Sequence, residues 1–208
     1  MKRIKTISDL KDLRKSILKQ RDPEKTTIRT CLSTGCRAKK SIKVISALED
    51  ELNNQGLQEK VEIKRTGCHG FCEMGPIMVI EPANIFYRQV TSEDIADIVA
   101  ETISKGNVVQ RLLWKDSRTK EYTKTEQELP LYKKQKKHIS YNSGKIDPTD
   151  IEDYIAANGY SALCKALSTM KPAEIVETVI ASGLRGRGGG GFPTGIKWRI
   201  CSEAPGDI

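Results

Sequence analysis

Thr26–Ser41 reads TTIRTCLSTGCRAKKS, and after an intervening amphipathic stretch Val61–Gly75 reads VEIKRTGCHGFCEMG. The β-branched run Thr26 to Ser33 predicts a short buried strand with a cysteine near its end. Val61 to Thr66 alternates apolar and polar side chains, which predicts a half-buried strand running directly into a second cysteine pair. Between them Ser41 opens SIKVISALEDELNNQG, where Ile42, Ile45, Leu48 and Leu52 recur at helical spacing and Gly56 supplies a stop. Each cysteine pair, Cys31 with Cys36 and Cys68 with Cys72, thus follows a strand. If those strands are neighbours, both pairs reach one edge of a sheet, where four soft ligands can surround a metal centre.

Outward from this core, PIMVIEPANIFYRQV predicts two strands about a turn at Glu81 to Asn84, and SEDIADIVAETISKG predicts a helix closed by Lys105 and Gly106. The order strand, helix, strand, strand, strand, helix implies a small α/β sandwich over residues 25–106. Ahead of it, Ile7, Leu10, Leu13, Ile17 and Leu18 predict an N-terminal helix within 1–24, with Ser8 as its cap. Residues 107–145 read as a linker of low internal order with scattered anchors at Leu112, Leu113, Trp114 and Leu131. Periodicity returns in 146–208, where short helices, one starting at Pro172 and stopping at Gly183, lead into a glycine-rich stretch.

The chain has 208 residues and a net charge of +8 from 35 Lys and Arg against 27 Asp and Glu. Acids are interleaved with the basic residues, and the densest basic run, KKQKKH at Lys133–His138, has no aromatics within it, so a nucleic-acid partner is not expected. No window approaches a membrane span and the N-terminus lacks a signal-peptide pattern, which leads to an expected cytoplasmic location. Six cysteines in such a setting point to metal or redox chemistry rather than disulfides. Cys164 and Cys201 lack paired spacing and are expected to be ordinary thiols. Arg37, Lys39 and Lys40 are expected to favour the thiolate forms of the paired cysteines.

A two-iron, two-sulfur cluster takes four cysteines as two pairs and tolerates these spacings. Four-cysteine zinc fits the second pair well and the first at its limit, and a plain set of thiols stays open. A C-x-x-C dithiol is absent, and one nearby histidine, His69, falls short of the two a Rieske centre needs. His69 is expected to be a loop donor or a solvent-facing ring.

TCLSTGCRAKKS, TGCHGFCEMGP and the helix between them resemble the thioredoxin-like two-iron, two-sulfur ferredoxins, the domain found also as the 24-kilodalton-type subunit of respiratory complex I. The resemblance implies that Cys31, Cys36, Cys68 and Cys72 bind the cluster. All-cysteine ligation would set a low potential, on the order of −400 mV.

The stretch Ser182–Trp198, SGLRGRGGGGFPTGIKW, contains a G-x-G-x-x-G match, yet follows a helix rather than a strand, and no Gly-Lys-Ser or Gly-Lys-Thr triplet follows. An RNA-binding tail would want repeated units and flanking disorder, whereas ordered-looking segments lie on both sides. A glycine cradle fits better, with Arg185, Arg187 and Lys197 adding charge beside backbone N–H groups. This stretch, with LPLYKKQKKHISYNSGKIDPTDIEDYIAANGYSAL before it, resembles the flavin site of the NADH-binding, 51-kilodalton-type subunit of complex I and its relatives in NAD(P)-linked hydrogenases. The resemblance implies FMN and NAD(P)H bound by Gly186, Arg187, Gly188, Gly189, Gly190, Gly191, Phe192, Pro193, Thr194, Gly195 and Lys197, with Phe192 contacting the dinucleotide. Relatives continue with an acidic segment and, later, four cysteines for a four-iron cluster (4Fe-4S), so the sequence reads as a fragment or one half of a split subunit.

The expected fold is therefore α/β: a thioredoxin-like 2Fe-2S ferredoxin domain, a linker, and the start of an α/β FMN/NADH-binding domain. Both resemblances meet in the fused β subunits of NAD(P)-dependent iron hydrogenases. They imply an electron-transfer subunit of a multi-subunit complex that exchanges electrons between NAD(P)H, FMN and iron-sulfur clusters, with no catalytic side chain of its own. Two alternatives stand beside it: a stand-alone 2Fe-2S carrier unable to bind FMN, and a zinc-containing RNA-binding protein.

Overall fold

The computed structural model describes residues 3–206. Its contacts divide the chain into two compact units: residues 15–157, and the segments up to Arg14 and from Asn158 onward. The N-terminal helix α1 (Ile7–Gln20) runs across that boundary. Its start is tied by Thr6 and not by the expected Ser8: Thr6 Oγ1 accepts the Asp9 N–H at 3.1 Å while the Asp9 carboxylate accepts the Lys5 and Thr6 N–H groups at 3.0 and 2.9 Å. Reciprocal bonds of this kind satisfy donors that a helix start otherwise leaves open.

The unit of residues 15–157 is built on a four-stranded sheet of β1 (Thr26–Cys31), β2 (Val61–Thr66), β3 (Met78–Glu81) and β4 (Ile85–Tyr87), in the order β2-β1-β3-β4. β1 and β2 are parallel, joined by α2 (Thr34–Ala38) and α3 (Ser41–Asn54); β3 runs antiparallel to both β1 and β4. A crossover helix is what a parallel pair requires. After β4, α4 (Ile95–Asp97) continues as a π-helix over Ile98–Ile103.

Alternation along the strands splits their side chains between two apolar clusters. Ile28, Met78, Ile80, Ile85 and Tyr87 pack with Val44, Leu48 and Leu52 of α3 and with Ile95 and Ile98. The opposite face holds Cys31, Val79 and Phe86, together with Cys36, Ile77 and Leu129.

The segment 107–145 is not the loosely ordered linker its charge suggests. Leu112 and Leu113 are buried in the first cluster; Leu129, not the expected Leu131, is fully buried in the second, with Trp114 and Tyr132 packed against it. β5 (Trp114–Lys115) and β6 (Tyr122–Thr123) form a ribbon, followed by the short helix α5 (Pro130–Lys133). The segment also covers the open edge of β4: Phe86 N–H donates to the Lys124 carbonyl at 2.8 Å and Arg88 N–H to that of Leu112 at 2.9 Å. An edge strand left bare would expose those donors. α6 (Ile151–Ala156) closes the unit through Asp153, which is 2 % exposed and accepts from Arg21 Nη2 at 2.6 Å, Lys64 Nζ at 3.0 Å and the Asp147 N–H at 2.8 Å.

In the other unit, α7 (Ser161–Thr169), α8 (Pro172–Ala181) and α9 (Thr194–Glu203) follow in order. α8 and α9 pack so closely at Gly195 that a Cβ there would lie 2.5 Å from Ile180 N and 2.6 Å from its Cα. Only glycine allows that approach. No helix of the described residues is long and apolar enough to cross a membrane.

Candidate metal centre and glycine loop

The parallel pairing Cys31↔Thr66 puts the ends of β1 and β2 side by side, so the loops that follow them meet. Cys31 and Cys36 are buried, Cys68 is half-buried and Cys72 is exposed. The sulfurs come as two pairs. Cys36 and Cys31 share a hydrogen bond, while Cys68 and Cys72 stand 3.5 Å apart, sulfur to sulfur. The pairs are close to each other: a Cβ on Gly35 would lie 3.3 Å from Cys72 Sγ, and one on Gly75 would lie 2.5 Å from Cys36 Sγ. Both glycines therefore keep the space around the sulfurs open. Among the described residues no three His, Cys, Asp or Glu side chains gather in a way that could hold a single metal ion. Four soft sulfur donors, two per pair, form the donor set a two-iron cluster takes, one pair per iron.

The Cys31 thiol is pushed down to about 6, chiefly by the hydrogen bond from Cys36; burial opposes this, and the backbone N–H groups of Ser33 and His69 assist. The same bond pushes Cys36 up, and Cys68 pushes Cys72 up. The leading influence is thus the thiol hydrogen bond within each pair, with burial next for Cys31 and Cys36, and not the expected Arg37, Lys39 and Lys40. Of these, Lys39 instead ties the second loop, donating to the Glu73 carbonyl at 2.6 Å.

His69 is buried at 1 % exposure, which rules out the solvent-facing ring. Its Nε2 lies 3.0 Å from Thr66 Oγ1 and its Nδ1 3.5 Å from Glu126 Oε1. Burial pushes the Glu126 carboxyl up, but the hydrogen bond and charge of His69, with Arg29 and Lys137, outweigh it and hold the group low. Arg29, itself 5 % exposed, reaches Glu81 at 2.9 Å and Glu126 at 3.8 Å and donates to the Gly144 carbonyl. Glu126, Tyr132, Lys137 and Gly144 all come from the segment read as linker, and nothing in its periodicity marks them as neighbours of the cysteines.

The glycine stretch is a closed loop between α8 and α9. Arg185 and Pro193 form an antiparallel bridge, Gly186 N–H donates to the Phe192 carbonyl at 2.9 Å, and Thr194 N–H donates to that of Leu184 at 2.8 Å. Gly189 and Gly191 hold φ of 113° and 59°, which glycine adopts without strain. Arg187, Gly188, Gly190, Phe192, Pro193 and Lys197 are exposed, while Gly195 is buried against α8 and Thr194 begins α9. The loop is ordered by its own backbone bonds and stands at a helix start, as an anion cradle would. Cys164 and Cys201 lie in α7 and α9, in the other unit from the four paired cysteines.

Residues 16–103 match the family described as thioredoxin-like [2Fe-2S] ferredoxin. The chain is 62 % identical over 69 residues to the NADP-reducing hydrogenase subunit HndC of Solidesulfovibrio fructosivorans, covering 33 % of this chain and 14 % of that protein. It is 53 % identical over 53 residues to an NADH-quinone oxidoreductase subunit of Buchnera aphidicola subsp. Schizaphis graminum, covering 26 % of this chain and 12 % of that protein. It therefore spans only a small part of the length of these two relatives. With the 2Fe-2S ferredoxin of Clostridium pasteurianum the identity is 38 % over 77 residues, covering 37 % of this chain and 76 % of that protein. Three quarters of a ferredoxin matched at this identity, together with the family match and the paired cysteines at the ends of two parallel strands, establish that this chain belongs to the thioredoxin-like [2Fe-2S] ferredoxin family.

Proposed function

We propose that this chain is an electron-transfer component of an NAD(P)H-linked dehydrogenase or hydrogenase complex, with Cys31, Cys36, Cys68 and Cys72 holding a two-iron, two-sulfur cluster. The observation that carries the reading is the meeting of two cysteine pairs at the ends of parallel β1 and β2 in a member of this ferredoxin family. When bound, the cluster supplies one-electron chemistry; the protein supplies the ligands, their spacing and the surrounding dielectric. Cys31 and Cys36 form the buried side of the site, and the exposed Cys72 marks the side from which an electron partner has the shortest approach.

The glycine loop is the second element of the reading. Gly186, Arg187, Gly188, Gly189, Gly190, Gly191, Phe192, Pro193, Thr194, Gly195 and Lys197 would form one wall of a site for FMN and NAD(P)H. Backbone N–H groups and the Arg187 and Lys197 charges would face phosphate, and exposed Phe192 would lie against a flat ring. Similarity to the hydrogenase and oxidoreductase subunits supports this assignment and the expectation of partner subunits.

Anaerobically purified chain should carry about two iron and two labile sulfide, a visible charge-transfer spectrum that dithionite bleaches, and a low-potential reduced-cluster EPR signal. A colourless chain with one zinc and no sulfide would overturn the cluster reading. Titration with FMN and NADH tests the loop separately: absence of flavin binding with an intact cluster leaves a carrier module alone.

A further inference from the structure

The carbonyl of His69 receives two side-chain donors from outside its own loop: Tyr132 Oη at 3.0 Å and Lys137 Nζ at 3.2 Å. That carbonyl belongs to the same peptide group as the Gly70 N–H, which donates to Cys68 Sγ at 3.2 Å. In a trans peptide the C=O and N–H point in opposite directions, so fixing one fixes the other. Gly70 itself holds φ of 87°, a left-handed conformation that glycine adopts without strain.

The two donors are themselves held. The Tyr132 ring meets Phe71 and Phe86 edge-on, with centroids 6.2 and 6.3 Å away, and Lys137 Nζ sits 4.4 Å over the Tyr132 ring. Glu126 and Gly144 bracket the His69 ring. Glu126 faces Nδ1, and a Cβ on Gly144 would lie 2.8 Å from that same atom. Thus one segment of the chain meets a single cluster-loop residue twice, Tyr132 and Lys137 at the His69 carbonyl and Glu126 and Gly144 at its ring.

We propose that residues 124–144 form a strap that aims the Gly70 N–H at the Cys68 sulfur, with Tyr132 and Lys137 as positioning residues acting through the His69 carbonyl, an assignment that rests on the cluster reading above. A donor on the carbonyl polarises the peptide and strengthens the bond its N–H makes. An N–H bond to a ligand sulfur stabilises the more negative, reduced cluster and raises its potential. The strap therefore tunes and retains the cluster from outside the ferredoxin module itself.

Tyr132→Phe keeps the ring packing and removes only the hydroxyl, without changing charge. In the full chain with its cluster, it should shift the midpoint potential to a more negative value and speed cluster loss to a chelator by about 10-fold, with iron and sulfide at wild-type content on purification. Lys137→Gln should act in the same direction, and Lys137→Arg should restore both readouts. A purely structural role would lower the melting temperature and leave the potential where it was. Wild-type potential and loss rate in both Tyr132→Phe and Lys137→Gln, with the cluster present, overturn the strap alone; absence of iron and sulfide from the wild-type chain overturns the cluster reading and the strap with it.

Discussion

The unit of residues 15–157 and the helices that follow it solve burial in different ways. In the first, Ile28, Leu48, Met78, Ile80, Ile85, Phe86, Tyr87, Ile95 and Ile98 are all at or near zero exposure. In the second, α7 and α8 contain no buried residue, Gly195 is the buried position of α9, and Leu163, Leu167, Phe192, Trp198 and Ile200 stand exposed, Leu167 at 79 %. One region closes its apolar surface on itself. The other displays apolar surface of a kind that marks interaction or ligand sites. The difference teaches where each region's order comes from: sheet and core in the first, backbone bonds and one close glycine contact in the second.

The largest expected effect breaks the first region at its chemistry. Cys31→Ala, Cys36→Ala, Cys68→Ala or Cys72→Ala should each abolish the wild-type cluster spectrum, whereas Cys164→Ser and Cys201→Ser should leave iron and sulfide content unchanged. Cluster loss in either of the latter would remove the distinction between the regions.

Next in size is Gly195→Ala. Its methyl would meet the Ile180 backbone well inside contact distance, so α8 and α9 must separate. Such overpacking costs about 3 kcal/mol. Fluorescence of Trp198 in a Trp114→Phe background should report an early melting of the helices while iron content holds.

Acid should sharpen the comparison on the ferredoxin side. Burial pushes the Asp153 carboxyl up, but the Asp147 N–H, Lys64 and Arg21 outweigh it and hold the group below the usual carboxylate range. A depressed carboxyl contributes stability that is full above its unfolded value and is lost as the pH falls through the folded one. Asp153→Asn should therefore destabilise the unit at neutral pH by about 3 kcal/mol, since it leaves Lys64 without its buried partner. Its acid unfolding curve should be correspondingly flatter than wild type below about pH 4.

The smallest effects form a matched pair. Leu113→Ala removes a side chain from the main core and should cost about 2 kcal/mol in denaturant unfolding. Leu167→Ala, on the exposed helix surface, should stay within about 0.5 kcal/mol. Equal losses would erase the contrast in burial.

Much of this was legible in the residues. β1, β2 and α3 follow from a β-branched run, an alternating stretch and a three-and-four repeat, and the cysteine spacing pointed to the candidate site because metal chemistry demands few residue types at short separations. The role of 107–145 was not legible. Its anchors Leu112, Leu113 and Leu129 are separated by charged stretches with no period, because a segment that crosses a sheet edge and then lies on a sheet face contacts the core at irregular intervals. Nor could His69 be placed from sequence, since its burial depends on Glu126 and Gly144, which are distant in the chain.

By itself the sequence determined the strands, the crossover helix and the two cysteine pairs proposed as ligands, since these depend on local periodicity and residue chemistry. The tertiary structure alone decided that a charged segment would cover the face carrying Cys31 and grip the His69 peptide, because that face stays bare in the four-stranded sheet. Any chain able to bury Leu129 and Tyr132 there gains both the apolar contact and the hydrogen bonds.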